Sequence, residues 1–130
     1  VIVDQGVLFH SDEGKWIMNF FPRRSSDSRM LFSTISRDGK VYIALSDGNI
    51  FELFENKLSW IATINERPRG LIFQGNTLWA AGSNTFFRFS HEGIFPLQKK
   101  SLQKILLIQP IMEKEFFIFA TSSGIESFKL

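Results

Sequence analysis

The sequence predicts an all-β chain: a β-propeller segment of about three four-stranded antiparallel blades, forming an incomplete ring. Three observations predict it: an internal repeat of 37 to 38 residues, small polar turns at hairpin spacing, and no sustained helical stripe. The repeat has a register. Tyr42, Trp79 and Phe117 stand 37 and 38 positions apart, and eight residues after each comes Ile50, Phe87 or Ile125. Two places after the anchors are Ala44, Ala81 and Phe119; four places after are Ser46, Ser83 and Thr121. A β-sandwich also uses many short strands but requires no such register.

With the strands of a blade lettered A to D, the chain reads BCD, ABCD, ABCD, ABC. A partial blade over 1–21 holds Val7-Leu8-Phe9, the turn Ser11-Asp12-Glu13-Gly14 and the strand Trp16-Ile17-Met18-Asn19-Phe20. The blade over 30–64 has an apolar strand at 30–35, then Asp38-Gly39-Lys40 leading into Val41-Tyr42-Ile43-Ala44-Leu45. Ser46-Asp47-Gly48 turns that strand into Ile50-Phe51-Glu52-Leu53, and Trp60-Ile61-Ala62-Thr63-Ile64 closes the blade. The blade over 70–97 repeats the plan with 70–73, the turn Gly75-Asn76, Leu78-Trp79-Ala80-Ala81, Phe86-Phe87-Arg88-Phe89 and Ile94-Phe95-Pro96-Leu97. A last partial blade over 105–130 offers 105–111, Phe116-Phe117-Ile118-Phe119-Ala120 and Ile125-Glu126-Ser127-Phe128. Asp-Gly, Gly-Asn and Glu-Gly pairs at the turns accept the positive φ that tight hairpins demand. Residues 99–108 come nearest to helical spacing, and one helical turn leading into strand A is the most they allow.

Composition bounds the function classes. A hydrophobic fraction of 44% with 22% charged residues fits a folded globular domain. Fifteen Phe in 130 residues favour strands. With no Cys, disulfide frameworks and thiolate metal sites are excluded. A net charge of +2 lacks the basic stripe of a nucleic-acid binder, and no apolar run is long enough for membrane insertion as a helix. The chain opens at Val1 inside what reads as a strand, which predicts a processed product, an excised segment or a fragment of a longer protein. The ring is then completed by further blades of a longer chain, by self-assembly or by a protein partner.

The strand B to strand C unit resembles the two-component regulator propeller repeat, a family of extracytoplasmic sensor blades. The residues that carry the resemblance are Gly75-Asn76-Thr77-Leu78-Trp79-Ala80-Ala81-Gly82-Ser83-Asn84, followed by Phe87-Arg88-Phe89. Asp38-Gly39-Lys40-Val41-Tyr42-Ile43-Ala44 is a looser copy, with Tyr in place of Trp. The resemblance implies ligand sensing in signal transduction, an extracytoplasmic location and no catalysis. Phe9-His10-Ser11-Asp12-Glu13-Gly14-Lys15-Trp16 is more distantly similar to the Asp-box turn of sialidase-like propellers, with the Thr missing. Neither a Gly-His pair nor a Trp-Asp dipeptide occurs, which disfavours WD40.

Candidate site residues are few, and no catalytic set, cofactor or metal site is expected. His10 and His91 sit beside different turns, where surface placement explains them better than zinc, which needs three or four converging ligands. The carboxylates Asp12, Glu13, Asp38, Asp47, Glu55, Glu92, Glu113 and Glu115 fall in turns, where local backbone hydrogen bonds account for them. Trp16, Trp60 and Trp79 offer stacking platforms for a sugar ligand, although packing between blades explains them as well. The D-to-A junctions are basic, and Arg23, Arg24, Arg67 and Arg69 are the candidate binding residues for an anionic ligand. The expected role is ligand sensing or protein binding by a non-enzymatic propeller. A scaffold in a multi-protein complex and a carbohydrate-binding propeller are the alternatives.

Overall fold

A computed structural model describes the chain except for residues 75, 91–96, 101–104, 111–115, 122 and 130. The described residues form fourteen strands in four antiparallel sheets and no helix. Sheet 1 holds β1 (Ile2–Val3), β2 (Gly6–His10) and β3 (Trp16–Phe20). Sheet 2 runs β4 (Met30–Ile35), β5 (Val41–Leu45), β6 (Asn49–Phe54) and β7 (Lys57–Thr63). Sheet 3 runs β8 (Gly70–Gln74), β9 (Thr77–Ala81), β10 (Thr85–Phe89) and β11 (Leu97–Lys100). Sheet 4 holds β12 (Ile105–Pro110), β13 (Phe116–Thr121) and β14 (Gly124–Lys129). Each is a meander of sequence neighbours, with no crossover. The first strands of successive sheets adjoin, β4 against β8 and β8 against β12, the arrangement of an incomplete propeller.

Some strand boundaries differ from those read in the sequence. β7 begins at Lys57, because Glu55 and Asn56 both take positive φ and close a two-residue turn. β11 extends to Lys100, so Gln98, Lys99 and Lys100 pair with β10 beyond the blade end expected at 97, and positions 99–100 are strand rather than helical turn. Positions 94–96 and Lys104, expected in a strand and a junction, lie outside the described residues, as do His91, Glu92, Glu113 and Glu115.

The eight-residue spacing hides a change of face. In sheet 2 the three-residue turn 46–48 pairs Ile50 with Ala44, on the same side as Tyr42. In sheet 3 the two-residue turn 83–84 pairs Phe87 with Ala80, on the side opposite Trp79. One residue of turn length reverses which face a strand position occupies. The residues that stand opposite Tyr42, Trp79 and Phe117 are Glu52, Arg88 and Phe128.

Among the described residues, one core fills the space between sheets 1 and 2 and another the space between sheets 2 and 3. Val7 and Phe21 pack with Ile43, Leu45 and Phe51 between sheets 1 and 2. Tyr42, Ala44, Ile50, Ala62 and Ile64 pack with Leu71, Leu78, Ala80, Phe87 and Phe89 between sheets 2 and 3. Phe21 lies 4.7 Å from Phe51 between ring centroids, and Tyr42 stacks on Phe73 at 5.6 Å. Sheet 2 is therefore buried on both faces, which explains the near-continuous apolar run of β5. Burying a side chain such as Phe51 or Ile43 stabilises the fold by about 1.5–3 kcal/mol. Burial pushes the Tyr42 phenol far above its ordinary value, and the charge of Glu52 adds to the effect.

Candidate ligand-binding face

Antiparallel meanders sort the connections between two ends of the molecule. One end carries the turns 4–5, 46–48 and 83–84, together with the sheet-to-sheet connections 21–29 and 64–69. The other carries the turns 11–15, 36–40 and 55–56.

At the first end, turns and connections hydrogen-bond to each other. Arg24 Nε donates to the Asp4 carbonyl at 2.7 Å, and its Nη2 donates to the Ser28 carbonyl at 3.0 Å and the Ser26 carbonyl at 3.4 Å. The Met30 amide donates to Asp4 Oδ1 at 2.9 Å. One residue pair, Arg24 and Asp4, thus fixes the path of connection 21–29 over sheet 1. The same connection is tied to sheet 2. Ser25 donates from its amide and its hydroxyl to Asp47 Oδ2 at 3.0 and 3.1 Å. The Arg29 amide donates to Ser46 Oγ at 2.8 Å, and the Ser46 amide donates to the Arg29 carbonyl at 2.7 Å. Connection 64–69 repeats the arrangement: the Ile64 amide donates to the Gly48 carbonyl at 3.0 Å, and the Ser83 amide donates to Glu66 Oε1.

Gly48 is required twice over. Its φ of 91° is left-handed, and a Cβ there would overlap the Ile64 carbonyl oxygen. Asp47, beside it, feels opposing forces. Partial burial pushes its carboxyl up, but donors from Ser25 and Asn49 outweigh that and hold it below its ordinary value.

The four arginines singled out in the sequence do not act as one patch. Arg23, at φ 62°, stacks its guanidinium 4.0 Å from the centre of the Trp60 ring. Beneath it, Asn49 Nδ2 donates to the Arg23 carbonyl at 3.1 Å, and Trp60 Nε1 donates to Asn49 Oδ1 at 3.1 Å. Arg24 is committed to backbone carbonyls. The Nε of Arg69 is buried and has no partner among the described residues. Only Arg67 reaches an open depression, of about 360 Å³, which it shares with Ser25, Asp27, Ser28, Arg29, Ser46 and Asp47. Arg29, the partner that sequence reading passed over, is the last residue of connection 21–29. The sequence carried no signal for it: Arg29 meets Ser46, seventeen positions on, only once β4 and β5 are paired.

The remaining candidates fall elsewhere. His10 is exposed at the opposite end, edge-on to Trp16 with centroids 5.0 Å apart. Among the described residues, no group of three or more His, Asp or Glu side chains is placed to hold a metal ion. Trp79 is buried and Trp60 lies under Arg23, whereas Trp16 is 61% exposed, on a side of sheet 1 that no sheet covers among the described residues. Of the three Trp, only Trp16 presents an open ring to a sugar. No helix among the described residues is long and apolar enough to cross a membrane.

No protein-family model matches the sequence, and no curated protein matches it either. Solved structures do. The extracellular domain of the hybrid two-component system BT4673 from B. thetaiotaomicron is similar over 96% of this chain, with a TM-score of 0.76 at 9% identity. A second structure of a BT4673 extracellular domain, described as a one-component system, is similar over 77% of this chain, with a TM-score of 0.65 at 8% identity. The computationally designed Ika4 protein is similar over 78%, with a TM-score of 0.64 at 9% identity. The chain spans only 18% and 14% of the two BT4673 chains, and 66% of the Ika4 chain. At these identities the likeness concerns the fold.

Proposed function

We propose that this chain is a non-catalytic binding segment of an extracytoplasmic sensor, and that it meets its ligand at the end where connections and turns interlock. The observation that carries the reading is the depression at that end, where the side chains of Arg29 and Arg67 have no partner among the described residues. Guanidinium groups left free beside a hydrogen-bonded framework are suited to a charged or polar ligand, since no existing ion pair has to be broken when the ligand arrives. The fold likeness to extracellular domains of a two-component system agrees with a sensing role and an extracytoplasmic location. The test is a thermal-shift screen of the 130-residue chain against small anions, amino acids, sugars and short peptides, with mass spectrometry of each bound compound afterwards. At least one class raises the melting temperature of the wild type but not that of the Arg29→Glu/Arg67→Glu variant, and the compound is recovered unchanged. A screen without a single shift overturns the binding reading. Recovery of a converted compound overturns the non-catalytic one.

A second feature favours assembly around the same axis. The outward face of sheet 1 exposes Val1, Trp16 and Phe20 at 73, 61 and 67%, beside the half-buried Leu8 and Met18. In sheets 2 and 3 the corresponding face is covered by the preceding sheet. A further antiparallel sheet of the same kind, in a longer chain or a second copy, is the cover we infer for sheet 1. Light scattering on the 130-residue chain reads out the second-copy case as a closed oligomer. A stable 15.0 kDa monomer combined with an unaltered Trp16 fluorescence in the full-length protein refutes the inference.

A further inference from the structure

The depression at the interlocked end has a charge pattern that selects among ligands, and the inference drawn from it rests on the binding role proposed above. Its four charged side chains are Arg29, Arg67, Asp27 and Asp47, so the formal charges cancel. They are not equally available. Asp47 already accepts three hydrogen bonds, from the Ser25 amide, the Ser25 hydroxyl and the Asn49 amide. Asp27 is exposed and accepts none among the described residues, and the two guanidinium groups are likewise uncommitted. What faces an incoming molecule is therefore two free cations, one free carboxylate and a set of hydroxyls.

One of those hydroxyls stands out. Ser28 lines the depression, is only 3% exposed, and its Oγ has no hydrogen-bond partner. A buried hydroxyl left unpaired carries an uncompensated desolvation penalty, so a ligand atom that pairs with it is rewarded. Its backbone is held in place on both sides: the Ser28 amide donates to the Ser25 carbonyl at 3.1 Å, and the Ser28 carbonyl accepts from Arg24. The position of Ser28 beside the depression is thus held by a fixed frame. A volume of about 360 Å³ suits a molecule of a few to about ten heavy atoms.

We propose that this depression is a binding site for a small zwitterion of the free α-amino acid type. Its carboxylate pairs with the guanidinium groups of Arg29 and Arg67, its ammonium group faces Asp27, and the Ser28 hydroxyl hydrogen-bonds to the bound molecule. A simple dianion meets the uncompensated charge of Asp27, and a simple amine meets two arginines. Only a molecule with both charges matches both halves of the site.

Isothermal titration of the 130-residue chain with serine, glutamate, acetate, inorganic phosphate and ethylamine tests this. One of the amino acids binds at least about tenfold more tightly than acetate, phosphate or ethylamine, each of which satisfies half of the site. Arg67→Gln weakens the amino acid by about tenfold or more. Asp27→Asn brings its affinity down to that of acetate, and Ser28→Ala weakens it severalfold while circular dichroism stays unchanged. Equal binding of the amino acids and acetate, tighter binding of phosphate, or an amino-acid affinity indifferent to Arg67→Gln each overturns the proposal. If these probes fail while other compounds in the thermal-shift screen succeed through Arg29 and Arg67, the zwitterion inference falls and the binding role stands.

Discussion

The two ends of the molecule solve the same problem in opposite ways. At the end carrying turns 11–15 and 36–40, each turn satisfies itself. The Ser11 and Ser36 amides donate to the Lys15 and Lys40 carbonyls, the serine hydroxyls accept the amides of the same lysines, and Gly14 and Gly39 supply positive φ. The two loops are one turn built twice, Ser-x-x-Gly-Lys, although one joins β2 to β3 and the other β4 to β5. Ser36 also donates to Asp38, whose carboxylate sits 4.0 Å from Lys40 Nζ. At the other end turn 46–48 depends on its neighbours: it is held by residues of 21–29 before it and 64–66 after it. Local turns fix the shape of one sheet. Interlocked turns fix how one sheet meets the next, and so they can build a surface that no single sheet possesses.

The contrast is sharpest at glycine. Gly48 and Gly39 have nearly the same φ, 91° and 88°, but a Cβ on Gly39 meets nothing within 4 Å. Gly39→Ala is expected to cost only the left-handed backbone penalty, about 1–2 kcal/mol, whereas Gly48→Ala adds a clash with Ile64 and costs about 3 kcal/mol or more. Urea midpoints of the two variants measure the difference, and equal losses break the comparison. Next in size is the pair Asp47→Ala and Ser11→Ala. Removing Asp47 leaves the Ser25 and Asn49 amides without their acceptor and is expected to cost about 2 kcal/mol. Removing the Ser11 hydroxyl, at an exposed turn, costs about 0.5–1 kcal/mol by the same denaturation measurement.

Arg24→Ala is expected to be felt mainly across the sheet 1 to sheet 2 junction. It removes three donors to carbonyls, so amide hydrogen exchange accelerates at Ser28 and Met30 while the amides of turn 36–40 keep their rates. Uniform acceleration at both ends contradicts a local clamp. The smallest effect is the pH dependence of Asp47. Its folded carboxyl titrates below the unfolded value of 3.8, so its contribution is complete above that pH and is lost as pH falls through the folded value. Stability therefore drops below about pH 4 more steeply in the wild type than in Asp47→Asn. Parallel pH profiles remove Asp47 as the source.

Much of the interlocked end was legible as chemistry without being legible as geometry. Ser-Asp-Gly after strand β5 announces a tight turn, and the basic, serine-rich stretch 22–29 announces a wet connection. Which arginines are free was not readable. Arg23, Arg24, Arg67 and Arg69 look alike in sequence, yet one lies on an indole, one holds carbonyls, one has a buried Nε and one reaches the depression. A guanidinium is drawn to aromatic faces, to carbonyls and to open anion sites alike, so its neighbours in space decide its role.

The sequence by itself determined the all-β class, the meander order and nearly every strand, because alternation, turn residues and spacing are local properties of the chain. It determined the anchors Tyr42 and Trp79, both buried, but not the face of the residues eight places on. Tertiary structure decided that face through one residue of turn length, and it decided the grouping of Ser28, Arg29, Asp27 and Arg67 around one depression. The physical reason is the same in both cases. Hairpins are written by short-range backbone preferences, whereas a face or a site exists only where separate sheets are brought together, and that depends on how their cores pack.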